Sequence, residues 1–191
     1  MDEPNEPDEP SPSVLMKHAA ALLARRAHSR GELRRKLAAA APEASDGEIG
    51  AALDRLEHLD LLNDADYAYN FSLRRLDESG WGPAKIRAEL LRREVAGHDI
   101  DAALDRALGS TDATGAAGGA RDKGGAGGEA GALEARIDSY CARKGTPSTG
   151  RDAQRLARHL LGRGFGQDAV AEAVRRRFPA AIQYPEGPEG E

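Results

Sequence analysis

The sequence predicts an all-α protein, an elongated body of about nine helices arranged as tandem three-helix repeats. Three observations carry that expectation. The apolar 40% is mostly Ala and Leu, aromatic residues are 4% and charged residues 31%, a composition suited to amphipathic helices and poor in the residues that fill sheets. Apolar residues recur every three or four positions between capping signals. The same apolar pattern then returns further along the chain.

The helices are read in order. Leu15, Ala19, Leu22 and Arg26 form the first stripe. Ser29 with Glu32 three residues on is a capping box for a second helix, with Leu33 and Leu37 inward and Pro42 just beyond its end. Ser45 with Glu48 is a second box, leading into Ile49, Leu53 and Leu56. Asp64 is read as the cap of a fourth helix carrying Tyr67, Ala68, Phe71 and Arg75. The stretch Ser79-Gly80-Trp81-Gly82-Pro83 breaks it, and Pro83 suits the first turn of a fifth helix containing Ile86 and Leu90. Ile100, Leu104 and Leu108 mark the sixth. Leu133, Ile137 and Tyr140, then Leu156 and Leu160, then Val170 and Val174 mark the last three, with Pro179 read as the stop.

A shift of 70 residues places Ile86 on Leu156, Leu90 on Leu160, Leu91 on Leu161, Arg93 on Arg163, Val95 on Phe165, Ile100 on Val170 and Leu104 on Val174. A shift of 53 places Leu33 on Ile86 and Leu37 on Leu90, and a two-residue gap then brings Ile49 onto Ile100. The expected division is a three-helix repeat over 14–62, a second over 63–108 and a third over 132–178. Residues 109–131 read as a Gly-rich flexible linker, 1–12 as a disordered acidic, proline-rich tail and 179–191 as a disordered acidic tail.

The net charge of −5 conceals basic stretches. Lys17 to Leu37 holds seven bases and one acid, and Leu133 to Phe178 ten bases and five acids. Such stretches suit nucleic acid or an acidic protein surface, although charge alone equally describes solvated helix faces. One cysteine, Cys141, excludes an internal disulfide and a cysteine-built zinc site. No apolar run spans a bilayer and no signal segment opens the chain, so no membrane partner is expected and the cytoplasm is the expected location. The five histidines never reach metal-ligand spacing, no Gly-rich phosphate loop with its lysine occurs, and no nucleophile sits in a catalytic context. The expectation is a protein without enzymatic activity, metal or cofactor.

Four strings resemble the RecX family. Ser29-Arg30-Gly31-Glu32-Leu33 is similar to its S-R-x-E-L, and Leu61-Leu62-Asn63-Asp64-Ala65-Asp66-Tyr67-Ala68 to its L-[IL]-[ND]-D-x-x-[YF]-A. Gly82-Pro83, Ile86 and Glu89-Leu90 resemble its G-P-x-x-I-x-x-E-L, and Arg163-Gly164-Phe165 its R-G-F turn. The chain departs from the pattern at Arg93-Glu94, where the family usually has Lys-Gly, and at Ala39 to Ala41, often a glycine turn. Both helix ends are therefore expected to be built differently. The resemblance implies a helical solenoid that binds the RecA filament on single-stranded DNA and modulates, mostly inhibits, its ATPase and strand exchange. It thereby implies a part in DNA repair, recombination and the SOS response.

The candidate contact residues are basic. Arg25, Arg26, Arg34, Arg35 and Lys36 crowd one short turn, and Arg143, Lys144, Arg151, Arg155 and Arg158 another. Arg74, Arg75, Arg92, Arg93 and Arg163 complete the set. Through these faces single- or double-stranded DNA is a further expected partner of a monomer, and the alternative reading is a helix-turn-helix-like DNA-binding module. Trp81 is read as plugging a junction between helical units, and Tyr67 with Phe71 as core.

Overall fold

The computed structural model describes residues 12–109 and 128–183. Ten helices occur among them, and no strand: α1 Pro12–Arg25, α2 Arg30–Ala40, α3 Asp46–His58, α4 Asp64–Asp77, α5 Pro83–Arg92, α6 Gly97–Leu108, α7 Gly128–Lys144, α8 Gly150–Gly162, α9 Gln167–Arg177 and α10 Pro179–Gln183. The acidic N-terminal tail, most of the Gly-rich linker and the end of the C-terminal tail lie outside the described residues.

Local chemistry sets the helix starts. At α3 both halves of the box form: the Ser45 hydroxyl accepts the Glu48 amide, and Glu48 accepts the Ser45 amide at 2.7 Å. At α2 only half of the expected box forms. Ser29 accepts the Glu32 amide at 3.1 Å, but the Glu32 carboxylate turns to Arg93, Arg26 and His28 instead, drawn by charge. The cap of α4 is Asn63 rather than Asp64: its Oδ1 accepts the Asp66 amide at 3.0 Å. Asp64 serves another helix, accepting the first amide of α2, from Arg30, at 2.7 Å.

Two boundaries differ from the sequence reading. The linker was expected to run to Gly131, but α7 already begins at Gly128, where Glu129 is held by the Gly166 amide at 2.8 Å. Pro179 ends no fold. It opens α10, where its missing amide is not needed, and Ala181 joins the core beside Phe178.

By internal contacts the chain forms two compact units, Met1–Ala68 with Leu90–Ile100, and Tyr69–Glu89 with Asp101–Glu191. In the first, Leu15, Ala19, Leu33, Leu37, Ile49, Leu53, Leu56 and Leu62 form a core between α1, α2 and α3. In the second, α7, α8, α9 and α10 enclose Leu133, Ile137, Leu156, Leu160, Phe165, Val170 and Phe178. Burying such side chains contributes about 1.5–3 kcal/mol each.

The repeat register reappears as burial. Leu33, Ile86 and Leu156 are all fully buried, as are Leu37, Leu90 and Leu160. Leu91 and Leu161 are equivalent too, and both are exposed, at 51% and 42%. The ends of α5 and α8 match as well, through a left-handed Glu94 at φ 61° and Gly164 at φ 89°; α3, the third helix of its repeat, ends the same way at Asp60, φ 54°. In each the left-handed residue's amide bonds three residues back and the next amide five back, as for Val95 to Leu90 at 3.1 Å. The end at Glu94 is thus built as a glycine would build it, against expectation. The end of α2 is built differently, with Ala41 at φ −135°.

Candidate partner interface

In the first unit the start of α2 meets the turn after α5. The Ser29 hydroxyl donates to the Arg93 carbonyl at 2.6 Å. A Cβ on Gly31 would overlap the Cβ of Glu94, so glycine is required by close approach. Glu32 is the charge centre of this joint. It accepts Arg93 at 2.9 Å and lies 3.3 Å from both Arg26 and His28, while Arg93 also donates to the Tyr67 hydroxyl at 2.8 Å. Arg30 pairs with Asp54 at 2.6 Å and Glu57 at 2.7 Å. Burial raises the pKa of Asp64, further raised by Asp99 and Glu57, while the Arg30 amide opposes the shift.

The second unit repeats the joint at equivalent positions. The Gly82 amide donates to the Arg163 carbonyl at 2.7 Å, and the Ala84 amide to the Gly164 carbonyl at 3.1 Å. A Cβ on Gly82 would overlap the Gly164 backbone. Arg163 donates from Nη1 to the Ser79 carbonyl at 2.6 Å. Trp81 is half-buried here, with Arg75 at 4.8 Å and Lys85 at 4.6 Å over its ring. The start of one middle helix thus rests on the end of a later one in both units.

The basic candidates divide between joint and surface. Arg93 and Arg163 face inward at the joints, and Arg75 lies over Phe71 and Trp81. Arg25, Arg26, Arg34, Arg35, Lys36, Arg74, Arg92, Arg143, Lys144, Arg151, Arg155 and Arg158 are exposed. Arg34 pairs with Asp46 at 3.3 Å and Arg35 with Glu94 at 3.1 Å, each pair largely open to solvent. Arg155 pairs with Asp152 at 3.1 Å. The basic run at the end of α9 is tied down: Arg176 and Arg177 both reach Glu134, and Arg177 also reaches Asp138. The sequence reading missed Arg136 and His159. Their signal was the spacing Arg136, Tyr140, Arg143 on α7 and His159, Arg163 toward the end of α8, which is weak without knowing that these helices pack.

Burial holds the pKa of His28 and of His159 below the usual 6.5. Arg26 adds to the effect at His28, against Glu32; Arg163, Arg136 and Arg143 add to it at His159. Below pH 6.5 the unfolded chain therefore binds more protons than the folded one, so stability rises with pH through that window. The expected result is a Tm that falls as pH drops from 7.5 to 5.5, less steeply in His159→Gln. A flat profile would show that neither ring is kept neutral. No group of three or more His, Cys, Asp or Glu placed to hold a metal occurs among the described residues, and no helix among them is long and apolar enough to cross a membrane.

Comparison with known proteins places this architecture. The family model described as the second three-helix domain of RecX matches residues 63–104. Regulatory protein RecX of Leptothrix cholodnii is 35% identical over 167 residues, covering 86% of this chain and 90% of that protein. Regulatory protein RecX of Pseudomonas putida is 47% identical over 94 residues, 49% of this chain and 58% of that protein, so the match spans little more than half of that relative. The crystal structure of RecX from Lactobacillus salivarius superposes with a TM-score of 0.68 at 18% identity, over 86% of this chain and 95% of that one, which shows a shared fold. The aligned extent, the four motifs and the repeated three-helix build agree, and the chain belongs to the RecX family.

Proposed function

We propose that this chain binds the RecA filament on single-stranded DNA and restrains its ATPase and strand exchange, acting in the cytoplasm as a regulator of recombination and repair without catalysis of its own. The relatives' name, regulatory protein RecX, supports a regulatory role. The observation that carries the proposal is the twice-built joint between middle helices. A protein that repeats its own unit presents equivalent surfaces more than once, which suits a partner that is itself a repeat of identical subunits. The three repeats, 14–62, 63–108 and 132–178, are the units of that match. Arg34, Arg35 and Lys36 on α2, with Arg143, Lys144, Arg155 and Arg158 on α7 and α8, are the proposed contact residues, all exposed.

The test compares binding to preassembled RecA filaments with binding to the same single-stranded DNA and to duplex DNA alone. Tight binding that needs the filament is expected. Binding to bare duplex of equal strength, with a steep salt slope, would instead favour the helix-turn-helix-like reading.

A further inference from the structure

In the second unit positive charge gathers without a carboxylate in ion-pair contact among the described residues. Arg136 on α7 is half-buried, and its guanidinium lies so close to Gly80 that a Cβ there would overlap it. Arg163 reaches the adjacent residue, donating to the Ser79 carbonyl at 2.6 Å. Two guanidinium groups thus converge on one two-residue segment. His159, one turn before Arg163, packs its ring on Tyr140 with centroids 5.2 Å apart, and its Nε2 is enclosed without a hydrogen-bond partner. Arg143 lies two turns along α7 from Arg136 and is held by the Ser139 carbonyl at 3.0 Å. Among the described residues no carboxylate forms an ion pair with Arg136, Arg143 or Arg163.

Such a cluster is costly. Arg136 loses proton affinity to burial and then to the charges of Arg163 and Arg143, and His159 to burial and then to all three arginines. Elsewhere this sequence neutralises its arginines readily, as Glu134 and Asp138 do for Arg176 and Arg177 from the same helix α7. Like charges kept together without an acid destabilise the free protein and stabilise a complex with an anion. A cavity of about 200 Å³ opens beside Arg136, lined also by Gly80, Trp81 and Ser139, with Asp77 its only acid. Guanidinium groups match the oxygens of a phosphate in pairs, whereas a single carboxylate would leave most of this charge unmet.

We propose that Arg136 and Arg163, which converge on Ser79 and Gly80, form a binding site for a phosphate group. That group is either one unit of a nucleic-acid backbone or a free phosphate. The site does not depend on RecA being the partner, and it is tested with RecA absent.

Trp81 is the single tryptophan and lines the same cavity as Arg136, so its fluorescence reports occupancy. The full chain is titrated with pyrophosphate, with a single-stranded thymidine oligonucleotide and with a glutamate-rich peptide, following Trp81 emission and Tm. Arg136→Gln, which keeps part of the stem, is compared with wild type. The expected result is saturable binding of pyrophosphate or of the oligonucleotide, weakened at least tenfold in Arg136→Gln, whose Tm without ligand is equal to or above wild type. Binding of the oligonucleotide alone identifies the source as a nucleic-acid backbone, and binding of pyrophosphate as free phosphate. A purely structural Arg136 would lower Tm on substitution, and that outcome overturns the proposal. So does binding of neither phosphate ligand, equal binding by Arg136→Gln, or binding of the peptide alone.

Discussion

Gly82→Ala is expected to be among the most damaging single-methyl changes in the chain. A Cβ there would meet the carbonyl carbon and oxygen of Gly164, which are backbone and cannot rotate away. The segment is also fixed by the Gly82 amide on the Arg163 carbonyl at 2.7 Å. Overpacking against an unyielding wall costs about 3 kcal/mol, near the upper end of its usual range, which corresponds to roughly 6–12 °C in Tm for a chain of this size. Gly31→Ala at the equivalent joint is expected to be rescued, because the obstacle there is the Glu94 side chain. Glu94→Gly removes that obstacle and the left-handed strain of a non-glycine residue at φ 61°, worth about 1–2 kcal/mol. Glu94→Gly should therefore stabilise the Gly31→Ala variant by clearly more than it stabilises the wild type. Gly50→Ala is the control: it lies in α3 with nothing within 4 Å of a new Cβ, and should stabilise by roughly 0.5–1 kcal/mol. Equal thermal midpoints for Gly82→Ala and Gly50→Ala would show that the joint is loose.

On the proposed function, the double change Arg34→Glu/Arg35→Glu is expected to weaken inhibition of RecA at least tenfold while the protein stays folded. Both side chains are more than half exposed, at 51% and 58%. Their pairs with Asp46 and Glu94 are surface pairs, each worth about 0.2–1 kcal/mol. At a partner surface, reversing two charges costs far more, through lost pairing and new repulsion. Breaking the same pairs from the other side, with Asp46→Asn/Glu94→Gln, separates the two meanings. That variant keeps the arginines and should keep inhibition. If both variants lose inhibition equally, the ion pairs matter for the fold and not for contact.

The helices were legible because their apolar spacing is dense and local: Leu33, Leu37, Ile86, Leu90, Leu156 and Leu160 were read as core and are buried. The repeat register was legible for the same reason. What stayed hidden depended on distant partners. Glu32 scores as half of a capping box in sequence, yet Arg93, sixty-one residues away, captures its carboxylate. Asp64 reads as a cap for its own helix and instead caps α2. Glu94 shows no glycine signal, although its backbone turns as glycine would. Of the basic candidates, sequence found Arg93 and Arg163 but not their inward roles, because a charge at a joint and a charge on a face read alike in one dimension. Arg136 and His159 lie on different helices, far apart in the sequence, so only the packing of α7 on α8 brings them together.

The regulatory reading is tested most directly by the ATPase of RecA on single-stranded DNA, titrated with this protein. A repeat protein that spans neighbouring subunits of a filament should affect several of them at once. The account predicts half-maximal inhibition well below one molecule per RecA subunit. ATP hydrolysis unchanged at a several-fold molar excess of folded protein would contradict it.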